Sequence, residues 1–211
     1  MKQKNQTVVK LAQTALLAAL CFVSFTFLQI KIPMPGGDAT SLHIGNAFCV
    51  LAALLLGGGY GGLAGAVGMT IADMLDPVYI TGAPKTFVLK LCIGLITGLV
   101  AHRIAHISES TDKKYVFKWS VIASVCGLGF NVIADPIVGY FYKMYILGQP
   151  QEMASVLAKW STATTFVNAV VSTVLVAAIY NVLRPALLKA GLLNAVTEGH
   201  GMRNPVGAAK M

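Results

Sequence analysis

The sequence predicts an all-α membrane protein, a bundle of six transmembrane helices with both termini cytoplasmic. Three observations carry this. Of 211 residues, 56% are hydrophobic and only 11% charged, with a mean hydropathy of +0.71. Soluble domains carry roughly a quarter charged residues, so this chain lacks the polar groups to hydrate a surface all round. Its apolar residues fall into long uncharged runs separated by short loops rich in proline, glycine and charge. Its lysines and arginines are unevenly shared between the two ends of those runs, so the net charge of +8 reads as topology and not as affinity for nucleic acid.

The first run, Leu11–Ile30, is free of charge and long enough to cross a hydrocarbon core of about 30 Å. The basic segment before it resembles a signal peptide's opening, but no small-residue cleavage site follows, so the span is expected to be retained. Ala15 and Ala19 lie one helical turn apart on a small-residue face, the spacing that lets a second helix approach closely in lipid. Lys31–Ser41, with two prolines, two glycines and Asp38, forbids a helix and reads as a turn-rich loop. A hairpin of two short apolar arms follows, His43–Leu56 and Tyr60–Leu75, closed by the glycine-dense turn at 57–62. Its polar residues sit only at its ends: His43 and Asn46 where it begins, Asp73 where it finishes.

After the loop DPVYITGAP, Pro84 opens the fourth span, Lys85 to His106. A charged break leads to the fifth, Trp119 to Tyr145, which contains Asn131 and the pair Asp135-Pro136. An amphipathic loop, GQPQEMASVLAK, precedes the sixth, Trp160 to Val182, with Asn168 inside it. Residues 1–190 read as one domain and 191–211 as a frayed cytoplasmic tail. With six spans, eleven of the sixteen lysines and arginines fall on the side of the termini and five on the other side or within spans. The termini are therefore expected inside, and the glycine turn with them.

This topology gathers the unusual residues at the outer face: Asp38, His43, Asn46, Asp73 and Lys90, with Asn131, Asp135 and Asn168 somewhat deeper. An ionisable group at membrane depth costs about 3 kcal/mol on insertion scales, so each needs a partner or a wet cavity. Asp73 or Asp135 pairing with Lys90 to hold the bundle is the bland alternative; Lys31, Lys143 and Lys159 can snorkel to headgroups. Amides, a lysine, an aspartate and aromatics (Tyr79, Phe87, Phe130, Tyr140, Tyr142) suit a small polar ring compound. The four histidines are split between sides, so no metal site is expected; Cys21, Cys49, Cys92 and Cys126 read as small buried hydrophobes. No catalytic motif and no phosphate-binding loop occurs, so no cofactor is implied and ATP hydrolysis is excluded. A small intramembrane enzyme using Asp73, Asp135 or His43 is one competing reading. A stand-alone carrier is another, disfavoured by the lack of an internal repeat.

Taken in order, Ala15-x-x-x-Ala19, LHIGN (42–46), LLLGGGYGGLAGAVGMTIADML (54–75) and APKTFVLKLCIGLITGL (83–99) resemble the substrate-binding S component of an energy-coupling factor (ECF) vitamin transporter, in its riboflavin-transporter-like branch. The resemblance covers roughly residues 8–185. It implies a prokaryotic cell membrane, and a vitamin pocket under the loop Lys31–Ser41. It also implies a transmembrane T component docked on Ala15 and Ala19, and two cytoplasmic ATPases that drive it. The substrates it brings into view include pantothenate, pyridoxine-like compounds, hydroxymethylpyrimidine and riboflavin. The hairpin is expected to form a wall of that site, with Lys90, Asn131 and Asn168 as its readers.

Overall fold

The computed structural model describes residues 2–193. The described residues fold as six α-helices and one two-stranded ribbon: α1 (Lys2–Phe27), β1 (Gln29–Pro33), β2 (Ala39–His43), α2 (Gly45–Leu56), α3 (Gly58–Leu75), α4 (Ala83–Gly98), α5 (Lys113–Phe141) and α6 (Gln151–Lys189). Single π-helical turns, Leu99–Ile104 and Tyr142–Ile146, extend α4 and α5. Four helical stretches are long and apolar enough to cross a membrane: Thr7–Phe27, Ile80–Ile104, Lys113–Ile146 and Gln151–Lys189. Residues 194–211, most of the expected tail, lie outside the described residues.

The second helix explains its own shortness. Twelve residues rise about 18 Å, well short of a hydrocarbon core. Eleven of them are buried, and α2 touches α1, α3, α4, α5 and α6. It is the axis of the bundle, apolar all round because protein surrounds it on every side. The first arm of the hairpin is thus the centre of the molecule.

The glycine-dense turn also has a different role from the one expected. The turn itself needs only Gly57, whose φ of +86° favours a residue without Cβ, and α3 restarts at Gly58. The remaining glycines form a seam between α3 and α4. A Cβ on Gly94 would stand 2.2 Å from Gly62 Cα, and one on Gly98 2.2 Å from Gly58 Cα. Gly58-x-x-x-Gly62 therefore meets Gly94-x-x-x-Gly98 backbone to backbone, the close approach that small residues permit in lipid.

Three loop expectations change. Lys31–Ser41 does exclude a helix, but it lies within an antiparallel hairpin, with Gln29 opposite His43 and Pro33 opposite Ala39. The alternation in QIKI and the β-branched residues favour strands there, and Pro35 with Gly36 and Gly37 (φ +80° and +78°) makes the turn. The bundle is thus helical with a β-ribbon at one end. The fifth helix begins six residues earlier than expected, because the Asp112 carboxylate caps it by accepting from the Lys114 N–H at 2.9 Å. Residues 151–159 of the amphipathic loop before the sixth span are the first two and a half turns of α6, with Ala154 and Leu157 buried.

Candidate functional site

Polar residues of α2, α3, α4, α5 and α6 meet at one end of the bundle around a cavity of about 160 Å³. The β-ribbon roofs it with Met34, Asp38 to Ser41 and His43. Asn46 of α2 and Asp73 of α3 line it, as do Lys85, Thr86 and Lys90 of α4. Asp135 of α5 and Ser161, Thr164, Thr165 and Asn168 of α6 complete the wall.

The roof is latched at three places. The Lys143 ammonium, just past α5, pairs with the Asp38 carboxylate in the ribbon. The Thr40 and Thr164 hydroxyls share a hydrogen bond at 2.7 Å. Asn168 makes the third: the His43 N–H donates to its Oδ1 at 3.0 Å, while its Nδ2 donates to the Ser41 carbonyl at 2.9 Å. Both ends of that amide bond to β2, so Asn168 holds the roof while one N–H and one oxygen lone pair remain beside the cavity that it lines. Farther out, Lys31 pairs with Asp76 and stands 5.3 Å from the Tyr79 ring, tying β1 to the link between α3 and α4.

Beneath the roof, the charges do not pair as expected. Lys90 donates to Asn46 Oδ1 at 2.9 Å, and neither Asp73 nor Asp135 lies within ion-pair distance of it. Asp135 instead accepts from Lys85 at 2.9 Å and from the Ser161 hydroxyl. The reason is register. Lys85 meets Asp135 at one end of the antiparallel α4–α5 contact, and Thr97 packs against Gly127 farther along. Lys90 falls between these anchors, level with Asn131. Asn131 is buried, its Oδ1 has no partner, and it does not line the cavity.

His43 packs edge-on against Phe25, ring centroids 4.7 Å apart, and Nδ1 is buried without a partner. Burial, reinforced by the nearby Lys90 ammonium, pushes its pKa down to about 3, so the imidazole is neutral at physiological pH. It offers shape and a nitrogen lone pair, not charge.

Of the eight residues expected to bind substrate, Asp38, His43, Asn46, Asp73, Lys90, Asp135 and Asn168 line the cavity and Asn131 does not. Among the expected aromatics, Tyr79 and Tyr142 reach it; Phe87, Phe130 and Tyr140 do not, and Phe25 of α1 does instead. Lys143, expected to snorkel, turns inward to the ribbon. Ser161, Thr164 and Thr165 join Asn168 in the lining, and their signal in the sequence is plain: polar residues at i, i+3, i+4 and i+7 in an apolar span mark one helix face.

At the opposite end, His102 bonds to Ser108 at 2.7 Å and to the Ala53 carbonyl at 3.0 Å, and Arg184 donates to the Ile107 and Ser110 carbonyls. These contacts tie α4, α2 and α6 together at the far end. On α1, Ala18 and Cys21 face Gly68 of α3, whereas Ala15 and Ala19 are exposed on the outside of the bundle.

No curated protein and no solved structure matched the chain. The family model described as ECF-type riboflavin transporter, S component, matches residues 5–185. That span runs from the first turns of α1 to the last turns of α6 and takes in every element that builds the cavity. The chain therefore belongs to the ECF-type riboflavin transporter S component family, integral membrane proteins that serve as substrate-binding subunits in vitamin uptake.

Proposed function

We propose that this protein captures a water-soluble vitamin or vitamin precursor in the roofed cavity, from the outer face of a prokaryotic cell membrane, and delivers it inward with an ATP-driven module. The observation that carries the reading is the cavity itself. It is polar, lies among the ends of apolar helices, and is closed by a ribbon held through side-chain latches that can break without unfolding the bundle. Pantothenate, a pyridoxine-like compound, hydroxymethylpyrimidine and riboflavin are the candidate substrates, riboflavin being the one in the family's description.

In this reading all six helices cross the bilayer. The twelve-residue α2 does so inside a protein sheath that spares it the full hydrocarbon thickness, whereas the eighteen-residue α3 turns Leu63, Val67 and Ile71 outward. The excess of lysine and arginine on the side of the termini supports a cytoplasmic location for both ends. The protein is then the docked partner of a T component and two ATPases, with the exposed Ala15 and Ala19 as its contact.

Mass spectrometry of the small molecule that co-purifies with the full chain tests the substrate reading. A vitamin or precursor is the expected result; finding only lipid would remove its basis. The docking face has a separate check. Leucine at both Ala15 and Ala19 should leave binding of that molecule within about twofold, because neither residue touches the cavity. The same change should prevent co-purification of the T component and ATPases and abolish uptake, since a close helix contact tolerates no added bulk. An intact complex would place the contact elsewhere.

A further inference from the structure

The charged groups around the cavity are nearly all committed to one another. Lys85 is matched by Asp135, and Lys143 by Asp38. Lys90 and Asp73 remain. They are 7% and 3% exposed, and both line the cavity. Among the described residues Lys90 has only the Asn46 amide oxygen as a partner, and Asp73 has only the neighbouring Thr86 hydroxyl. No ion pair joins them to each other or to any other group. Charged side chains this deeply buried are stable only with a complementary group close by, and an amide or a hydroxyl is a weak substitute for one.

A ligand's charge decides how well it can serve both. An anion would satisfy the Lys90 ammonium but would bring a second negative charge against Asp73. A cation would do the reverse. The lining otherwise balances, with three lysines against three aspartates, so any net charge on the ligand is left without a matching group in a largely buried site. A neutral or dipolar compound that presents an acceptor and a donor on one edge meets both groups at once. A ring carbonyl or ring nitrogen would accept from Lys90 while an adjacent N–H or O–H donates to Asp73.

Resting on the vitamin-capture reading above, we infer that the cavity selects a neutral or zwitterionic heterocycle with an adjacent acceptor–donor edge, read by Lys90 and Asp73, and rejects simple carboxylate anions and organic cations. Asp73 is on this account a specificity-determining residue.

Calorimetric titration of the detergent-solubilised full chain with four probes tests this. Riboflavin and hydroxymethylpyrimidine carry such an edge and are neutral; pantothenate is an anion and thiamine a cation. At least one neutral probe should bind tenfold or more tighter than either charged one. The isosteric Asp73→Asn should weaken that neutral probe tenfold or more, and should narrow its advantage over pantothenate by the same order, because the repelling carboxylate is gone. The wild-type panel needs no variant, and a melting curve with the bound probe absent shows whether Asp73→Asn still folds. Tightest binding by pantothenate or thiamine overturns the inference and leaves vitamin capture standing. So does an unchanged preference in a folded Asp73→Asn. Failure of all four probes, with no small molecule co-purifying, overturns vitamin capture and the inference together.

Discussion

Alanine at Gly94 is expected to leave little folded protein in the membrane fraction, while alanine at Gly59 leaves the yield unchanged. The two glycines are both helical, so intrinsic propensity predicts a small gain of under about 1 kcal/mol at each. Packing separates them. A Cβ on Gly94 would lie 2.2 Å from Gly62 Cα and 2.5 Å from Gly62 N, whereas one on Gly59 meets nothing within 4 Å. Side chains can turn away from an intruding methyl; a helix backbone cannot. Relief requires α3 and α4 to move apart, which loosens the wall that carries Asp73 and Lys90. Overpacking usually costs about 1–3 kcal/mol, and a backbone-to-backbone clash belongs at or above the top of that range. Fluorescence-detected gel filtration of the two variants, with Gly98→Ala as a second seam position, measures it. A monodisperse Gly94→Ala protein with wild-type melting temperature would show that the seam is not tight.

Removing the Asp135 carboxylate should have the second large effect. Asp135→Ala strips Lys85 of its ion partner and Ser161 of its acceptor in one change. The side chains of the pair are 17% and 14% exposed, so the cavity gives some hydration. The cost should fall near the lower end of the range for a broken buried pair, about 3 kcal/mol. Asp135→Asn keeps an acceptor for Ser161 and should lose less. The double change Asp135→Ala with Lys85→Met should recover much of the loss, because no unmatched ammonium remains. Melting curves of the three variants decide. If the double variant is as unstable as Asp135→Ala alone, the ion pair is not the source of the effect.

The site was legible in unequal parts. Asp38, His43, Asn46, Asp73 and Lys90 stand out because charge and amides are costly in apolar runs, and that cost is a property of composition. Their partners were not legible. Lys85 taking Asp135 depends on how far α4 slides along α5, and Lys90 reaching Asn46 on how α4 sits against α2. Asn168 looked like a ligand reader for the same reason it is a latch: an amide inside a span must bond to something. The sequence does not say whether that is a solute or the backbone of β2.

The sequence by itself determined that this is a membrane protein, the order and approximate centres of its six helices, which end collects the polar groups, and the family to which it belongs. These follow from hydropathy, from proline and glycine as punctuation, and from motif order, all of which are local along the chain. Only the tertiary structure decided that α2 is the axis, that the glycines of the turn belong to an α3–α4 seam, and that the loop after α1 is a β-ribbon roof. It alone committed two lysine–aspartate pairs around the cavity and left Lys90 and Asp73 open. Those outcomes depend on register between segments distant in sequence, set by close packing of backbones, and no window along the chain contains that information.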